Sequence, residues 1–190
     1  MKKKIFIPII ALALVCCCVI GGTIAWLTDK TDAVTNTFTV GNISIELTES
    51  TGTAYKIVPG CDIAKDPKVT VEADSENCYL FVKVDEANWP AFTETDGTTR
   101  KVNYALAEGW TLVEGQTNVY YRAVTNITAD QEFQVLANDK VTVSENLTKE
   151  ELNQIETAPT LTFTAYAVQM QNGTETFTPA DAWSKIQPQP

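Results

Sequence analysis

The stretch Cys78-Tyr79-Leu80-Phe81-Val82-Lys83-Val84 constrains everything around it. Alternate residues of an extended strand point to opposite faces, so Cys78, Leu80, Val82 and Val84 share one face while Tyr79 and Phe81 load the other. A strand with one wet face alternates cleanly, whereas one that is apolar at both parities is covered on both sides. The chain therefore needs partner strands on either flank of residues 78–84 and a packed layer against each face. Tyr79 and Phe81 read as a satellite cluster beneath a long connection rather than as a ligand site.

The partners are legible as short alternating runs. Residues 37–47 alternate with a change of parity at Gly41-Asn42, as at a bulge, with Ile43, Ile45 and Leu47 inward and Ser44, Glu46 and Thr48 in water. Residues 55–58 read as a short strand closed by a type II turn at Pro59-Gly60. Residues 68–73 place Val69, Val71 and Ala73 inward, and residues 74–77 turn the chain. Residues 88–100 are loop-like, broken by Trp89-Pro90 and Asp96-Gly97. Strands follow at 102–106 and 110–113, and residues 119–124 form a hairpin arm after the turn at 114–118. Residues 132–136 and 141–143 read as a pair around Asn138-Asp139. The longest run, residues 160–170, puts Leu161, Phe163, Ala165 and Ala167 on one side and Thr162, Thr164 and Tyr166 on the other.

Two helix signals interrupt the pattern. Thr148 with Glu151 forms a capping box and Leu147 with Leu152 a hydrophobic staple, predicting a helix over 149–156 with Leu152 and Ile155 packed down. Thr178-Pro179 is an N-cap followed by proline at the first helical position, opening a helix that carries Trp183 and Ile186. About nine short strands and two brief helices make an all-β sandwich over residues 37–186, with residues 187–190 as a tail.

Ahead of this domain lie Lys2, Lys3 and Lys4, an apolar run over 5–20, and the small-residue exit Gly21-Gly22-Thr23-Ile24-Ala25-Trp26. Those are the three parts of a secretory signal, with Thr23 and Ala25 placed for cleavage between Ala25 and Trp26. The alternative is an uncleaved anchor, because residues 5–25 are just long enough to span a bilayer core of roughly 30 Å. Cys16, Cys17 and Cys18 lack the small preceding residue that a lipoprotein signal requires. The organisation expected is a signal peptide at 1–25, an extended segment at 26–36, and then the sandwich.

The junction Gly21-Gly22-Thr23-x-Ala25, followed by Trp26 and later by Thr37-Phe38-Thr39-Val40-Gly41-Asn42-Ile43, resembles the SipW-dependent signal class of exported Gram-positive proteins. These are proteins of the TasA and camelysin type. The resemblance continues in Val58-Pro59-Gly60, in Ile63-Ala64-Lys65-Asp66, and in Thr164-Ala165-Tyr166-Ala167-Val168-Gln169 with Ala182-Trp183. Residues 87–148 match nothing in it. The resemblance implies a jelly-roll-like fold, chosen on that ground over an immunoglobulin-like order, and a secreted protein that assembles into matrix fibres.

Composition narrows the chemistry. The formal charge of −10 becomes −13 once Lys2, Lys3 and Lys4 are removed with the signal. Such an acidic chain is unsuited to nucleic acid, whose phosphates need basic partners. There is no histidine, which removes serine and cysteine triads and the usual imidazole zinc sites. A camelysin-like metallopeptidase would have to rely on Cys61, Cys78 and carboxylates, so no catalytic residue, metal or cofactor is assigned. Glu72, Asp74 and Glu76 share one strand face, where a solvated edge is a simpler reading than a calcium site. Cys61 and Cys78 either form a disulfide or stay as two separate thiols.

Two function classes follow. In the first, the freed segment Trp26, Leu27, Thr28, Asp29, Lys30, Thr31, Asp32, Ala33 and Val34 adds as a strand to a neighbouring copy. The partners are then the chain itself and other matrix proteins. A dedicated signal peptidase acts during export, and the membrane is met only through the uncleaved signal. In the second, the protein is a monomeric adhesin that binds through the 87–100 loop with Trp89 and Phe92 exposed. A secreted peptidase is the residual reading.

Overall fold

The computed structural model describes residues 42–52 and 55–186. Residues 1–41, including the signal, the Ala25–Trp26 junction and the proposed donor segment, lie outside the described residues. Ten strands and two helices follow in order: β1 (Ile45–Thr48), β2 (Ile63–Ala64), β3 (Lys68–Val71), β4 (Cys78–Ala87), β5 (Val102–Asn103), β6 (Thr111–Leu112), β7 (Val119–Val124), β8 (Gln131–Gln134), β9 (Lys140–Val143), α1 (Lys149–Asn153), β10 (Thr160–Gln169) and α2 (Pro179–Ile186). They make three antiparallel sheets, ordered β1-β3-β8, β10-β4-β7-β6 and β2-β9-β5. The expected all-β, jelly-roll-like sandwich with two short helices is therefore present.

β4 is central, as its two apolar faces require. It pairs with β10 along ten residues and with β7 along six. Its Cys78, Leu80, Val82 and Val84 meet Val69 and Val71 of β3 in the main core, joined by Leu161, Phe163, Ala165 and Ala167 of β10. On the other face Phe81 is fully buried beneath α2, its ring 5.4 Å from Trp183, with Tyr166 a further 5.3 Å from that indole. The satellite cluster of Tyr79 and Phe81 thus exists, but a helix covers it instead of a loop. A third cluster holds the β2-β9-β5 sheet to α1 through Val102, Leu136, Val141, Val143, Leu147 and Leu152.

Both helix starts form as expected. Thr148 Oγ1 accepts from the Glu151 backbone N–H, and Glu151 accepts from the Thr148 backbone N–H. Thr178 and Asp181 make the same reciprocal pair ahead of Pro179. Pro59-Gly60 turns with φ +72° at Gly60 and a Cys61 N–H bond to the Val58 carbonyl, the type II geometry.

Several local expectations are corrected. Residues 55–58 are not a strand: only Ile57 packs inward, while Tyr55 and Val58 are exposed. The strands expected at 102–106 and 110–113 shrink to two residues each. Leu47 and Ala73, assigned inward, are exposed at strand ends. The first helix stops at Asn153, where Gln154 N–H bonds to the Glu151 carbonyl in a tightened last turn. The runs at 132–136 and 141–143 do not pair with each other. Asn138 and Asp139 both take positive φ, 58° and 52°, and swing the chain from the first sheet into the third.

Candidate functional site

Two sheet edges face each other along one side of the sandwich. β10 pairs only with β4 and β1 only with β3 among the described residues, and the two outer edges lie alongside one another without a shared ladder. Leu47 and Thr48 meet Thr160, Leu161, Thr162 and Phe163 around a groove of about 440 Å³. At the other end Ile43 meets Ala167, Val168 and Gln169 around a groove of about 470 Å³. β1 therefore runs opposite to β10, and Cα atoms of the two strands approach within 8 Å between these grooves. An unpaired edge offers a row of backbone N–H and C=O groups to another strand.

Lys65 stands at the Thr160 end of this seam. It is the one charged side chain that is buried among the described residues, 8% exposed. Its ammonium donates to Glu49 Oε1 and Oε2 at 2.8 and 2.9 Å. The rings of Tyr55 and Phe163 lie 5.2 and 5.5 Å away. Burial alone would raise the Glu49 carboxyl, but bonds from Lys65, Tyr55 and Thr51 outweigh it and hold the group below the ordinary glutamate range. The neighbouring Asp66 accepts from Ser50 Oγ at 2.6 Å and from the Ser50 and Thr51 backbone N–H groups, each at 3.0 Å. Led by the Ser50 hydroxyl, those bonds hold its carboxyl far below the usual carboxylate range. They tie the end of β1 to the segment between β2 and β3.

A separate pocket of about 620 Å³ shares Lys65 as a wall and is lined by Ile57, Ile63, Trp89, Leu152, Ile155 and Leu161 among others. Lys65, Thr160 and Leu161 line both the pocket and the seam groove. Trp89, expected on an exposed loop, instead donates its indole N–H to the Val102 carbonyl at 3.1 Å and sits edge-on to Tyr104 at 5.8 Å. Phe92 packs on the same cluster. The two aromatics expected to stand exposed on an adhesive surface are thus half-buried and pack against the third cluster.

The opposite side of the sandwich is closed by side chains. Arg122 of β7 stacks between Trp110, at 5.1 Å, and Phe133 of β8, at 4.1 Å, and Trp110 donates to the Gln134 carbonyl.

The remaining candidates do not converge. Cys61 is an exposed free thiol and Cys78 a fully buried one, so the disulfide alternative is not realised. Burial pushes the Cys78 thiol up to about 11. Glu72, Asp74 and Glu76 are all exposed, and Asp74 with φ +60° belongs to a turn. Among the described residues no three His, Cys, Asp or Glu side chains gather closely enough to hold a metal ion. No described helix is long and apolar enough to cross a membrane.

Sequence reasoning missed Lys65 as a site residue, yet its parity marks it. Residues 63, 65, 67, 69 and 71 all point inward, so Lys65 occupies a core position between Ile63 and Pro67.

No curated protein and no solved structure matches the chain. A family model described as camelysin metallo-endopeptidase matches residues 1–84, from the apolar N-terminus through most of β4. The donors present do not fit the metal centre in that description: the sequence has no histidine and Cys78 is a buried, apolar-packed thiol. Over its first 84 residues this chain is similar to the camelysin family.

Proposed function

We propose that the protein is an exported structural protein that polymerises head-to-tail into extracellular matrix fibres. Each mature chain lays residues 26–34 along the outer edge of β10 in a neighbour. The observation that carries this reading is the ten-residue outer edge of β10, unpaired among the described residues and facing the unpaired edge of β1. Strand addition uses backbone bonds for affinity, and an edge of this length supplies them. Donor and acceptor are different surfaces, so the contact is heterologous and need not close into a ring. Export through a SipW-class signal, with cleavage before Trp26, frees the donor, and the resulting −13 charge keeps unassembled chains apart. No peptidase step is assigned, because the sequence has no imidazole and no set of carboxylates clusters among the described residues. The adhesin alternative has less exposed aromatic surface to use than the loop composition suggests, because Trp89 and Phe92 are half-buried against the third cluster.

The test compares purified chain 26–190 with chain 35–190 by electron microscopy and size-exclusion chromatography. Filaments from the first and a folded monomer from the second are expected. Polymerisation of the shorter chain, or a longer chain that stays monomeric at every concentration, would overturn the proposal.

A further inference from the structure

The pocket beside Lys65 reaches the core of the third cluster. Val102 and Val141, 1% and 2% exposed, line it together with Ile63, Leu152 and Ile155. At about 620 Å³ it lies within the roughly 300–1,000 Å³ of ordinary ligand pockets. Among the described residues Lys65 is the one charged side chain in its wall, while Glu49 lines the neighbouring groove and not the pocket. An ammonium has three N–H donors. Glu49 takes two of them, and the third, on the side of the Tyr55 and Phe163 rings, has no oxygen acceptor among the described residues. The aromatic donors of the wall are already committed, the Trp89 indole to the Val102 carbonyl and the Tyr55 hydroxyl to Glu49.

We infer that this pocket binds a small aliphatic amphiphile, an alkyl chain closed by one oxygen-acceptor head, with the chain on the apolar wall and the head on the Lys65 ammonium. The inference is independent of strand addition. A polypeptide is the wrong occupant, because every residue brings backbone N–H and C=O groups that a mostly aliphatic and aromatic wall leaves unpaired. An alkyl chain has no such groups, and it gains by displacing loosely held water from the apolar surface. The head follows from the charges. An alcohol or carboxylate oxygen accepts from the third Lys65 N–H, whereas a cationic head meets the ammonium as a like charge. The Lys65–Glu49 pair is neutral as a whole, so an alcohol adds no net charge, while a carboxylate leaves one negative charge in excess and costs more to bury. The order of affinity is therefore alcohol, then carboxylate, then quaternary ammonium.

Tryptophan fluorescence reads the site directly, because Trp89 stands in its wall. Chain 26–190, taken from the monomer peak of size-exclusion chromatography, is titrated with ω-bromodecanol, whose bromine quenches an indole that it touches. Saturable quenching with one site per chain is expected, and Trp89→Phe should remove it. Decanol, decanoate and decyltrimethylammonium then compete in the order given. Ala158→Phe fills the pocket from its exposed rim and should weaken binding by at least about tenfold. Lys65→Met keeps the apolar wall and removes the donor. It should weaken decanol by about tenfold, the scale of one hydrogen bond from a charged group, and leave decyltrimethylammonium no worse than decanol. Circular dichroism confirms that each variant folds. Quenching that never saturates, or that is unchanged in folded Ala158→Phe, would overturn the site. Equal competition by decyltrimethylammonium and decanol in the wild type, or decanol binding unchanged in Lys65→Met, would overturn the assignment of the head to Lys65.

Discussion

Separating the two partners of the Lys65–Glu49 pair should have unequal consequences. Glu49→Gln leaves a buried ammonium facing one neutral acceptor, with its third side toward the rings of Tyr55 and Phe163. Removing one partner of a buried pair costs about 3–5 kcal/mol. The Lys65 and Glu49 side chains are 10% and 24% exposed, so water recovers part of this and about 2 kcal/mol is expected. Lys65→Met places an apolar chain of similar length between the same rings. Glu49 then still accepts from Tyr55 at 2.7 Å and Thr51 at 3.0 Å, so this change should cost only about 0–1 kcal/mol. Urea unfolding followed by near-ultraviolet circular dichroism reads the difference. With a slope of about 2 kcal/mol/M, Glu49→Gln moves the midpoint down by about 1 M and Lys65→Met by at most about half that. The pH dependence carries the same signature. A carboxyl whose folded pKa is depressed stabilises fully above its unfolded value and loses that contribution as pH falls through the folded one. Wild type should therefore weaken as pH drops below 4.5, and Glu49→Gln should lack that part of the loss. If Lys65→Met costs as much as Glu49→Gln, the buried charge is not what Glu49 is there to satisfy.

Trp183→Ala should destabilise by about 3–5 kcal/mol, because a nearly buried indole packs on Phe81 and Tyr166 and clamps α2 to β4; thermal or urea unfolding checks it. Iodoacetamide should modify Cys61 quickly and Cys78 only after denaturation, read as a single mass adduct, and an absence of adducts before reduction would reveal a disulfide. Gly109→Ala should cost about 1–3 kcal/mol by urea unfolding. Gly109 has φ +90°, and a Cβ there would strike the Arg122 guanidinium and displace it from between Trp110 and Phe133.

Features encoded by neighbouring residues were legible in the sequence. The doubled apolar pattern of β4, the alternation of β10, the Thr148–Glu151 box and the Thr178-Pro179 cap all act within a few residues, and all appear in the fold. What pairs with what was less accessible. Asn138-Asp139 looks like a hairpin turn, but its two left-handed residues redirect the chain, so β8 joins β3 and β9 joins β2 and β5. Trp89 and Phe92 misled because a loop has no period from which orientation can be read. Residues 55–58 have strand composition yet no partner among the described residues, and a segment of four residues without one gains too little burial to become a strand. The seam was invisible for a deeper reason. An unpaired edge is a property of sheet order, and β1 and β10 are more than a hundred residues apart.

Amide hydrogen exchange on assembled filaments tests the central claim most directly. In the unassembled chain lacking residues 26–34, the outward amides of β10, Thr160–Gln169, have no partner among the described residues and should exchange fast, while those directed at β4 are protected. In filaments of the mature chain the outward set should become protected along the length of β10. Protection that appears instead at the β6 edge around Leu112, or no change along β10 in filaments that have formed, would contradict the assignment of the outer β10 edge as the acceptor.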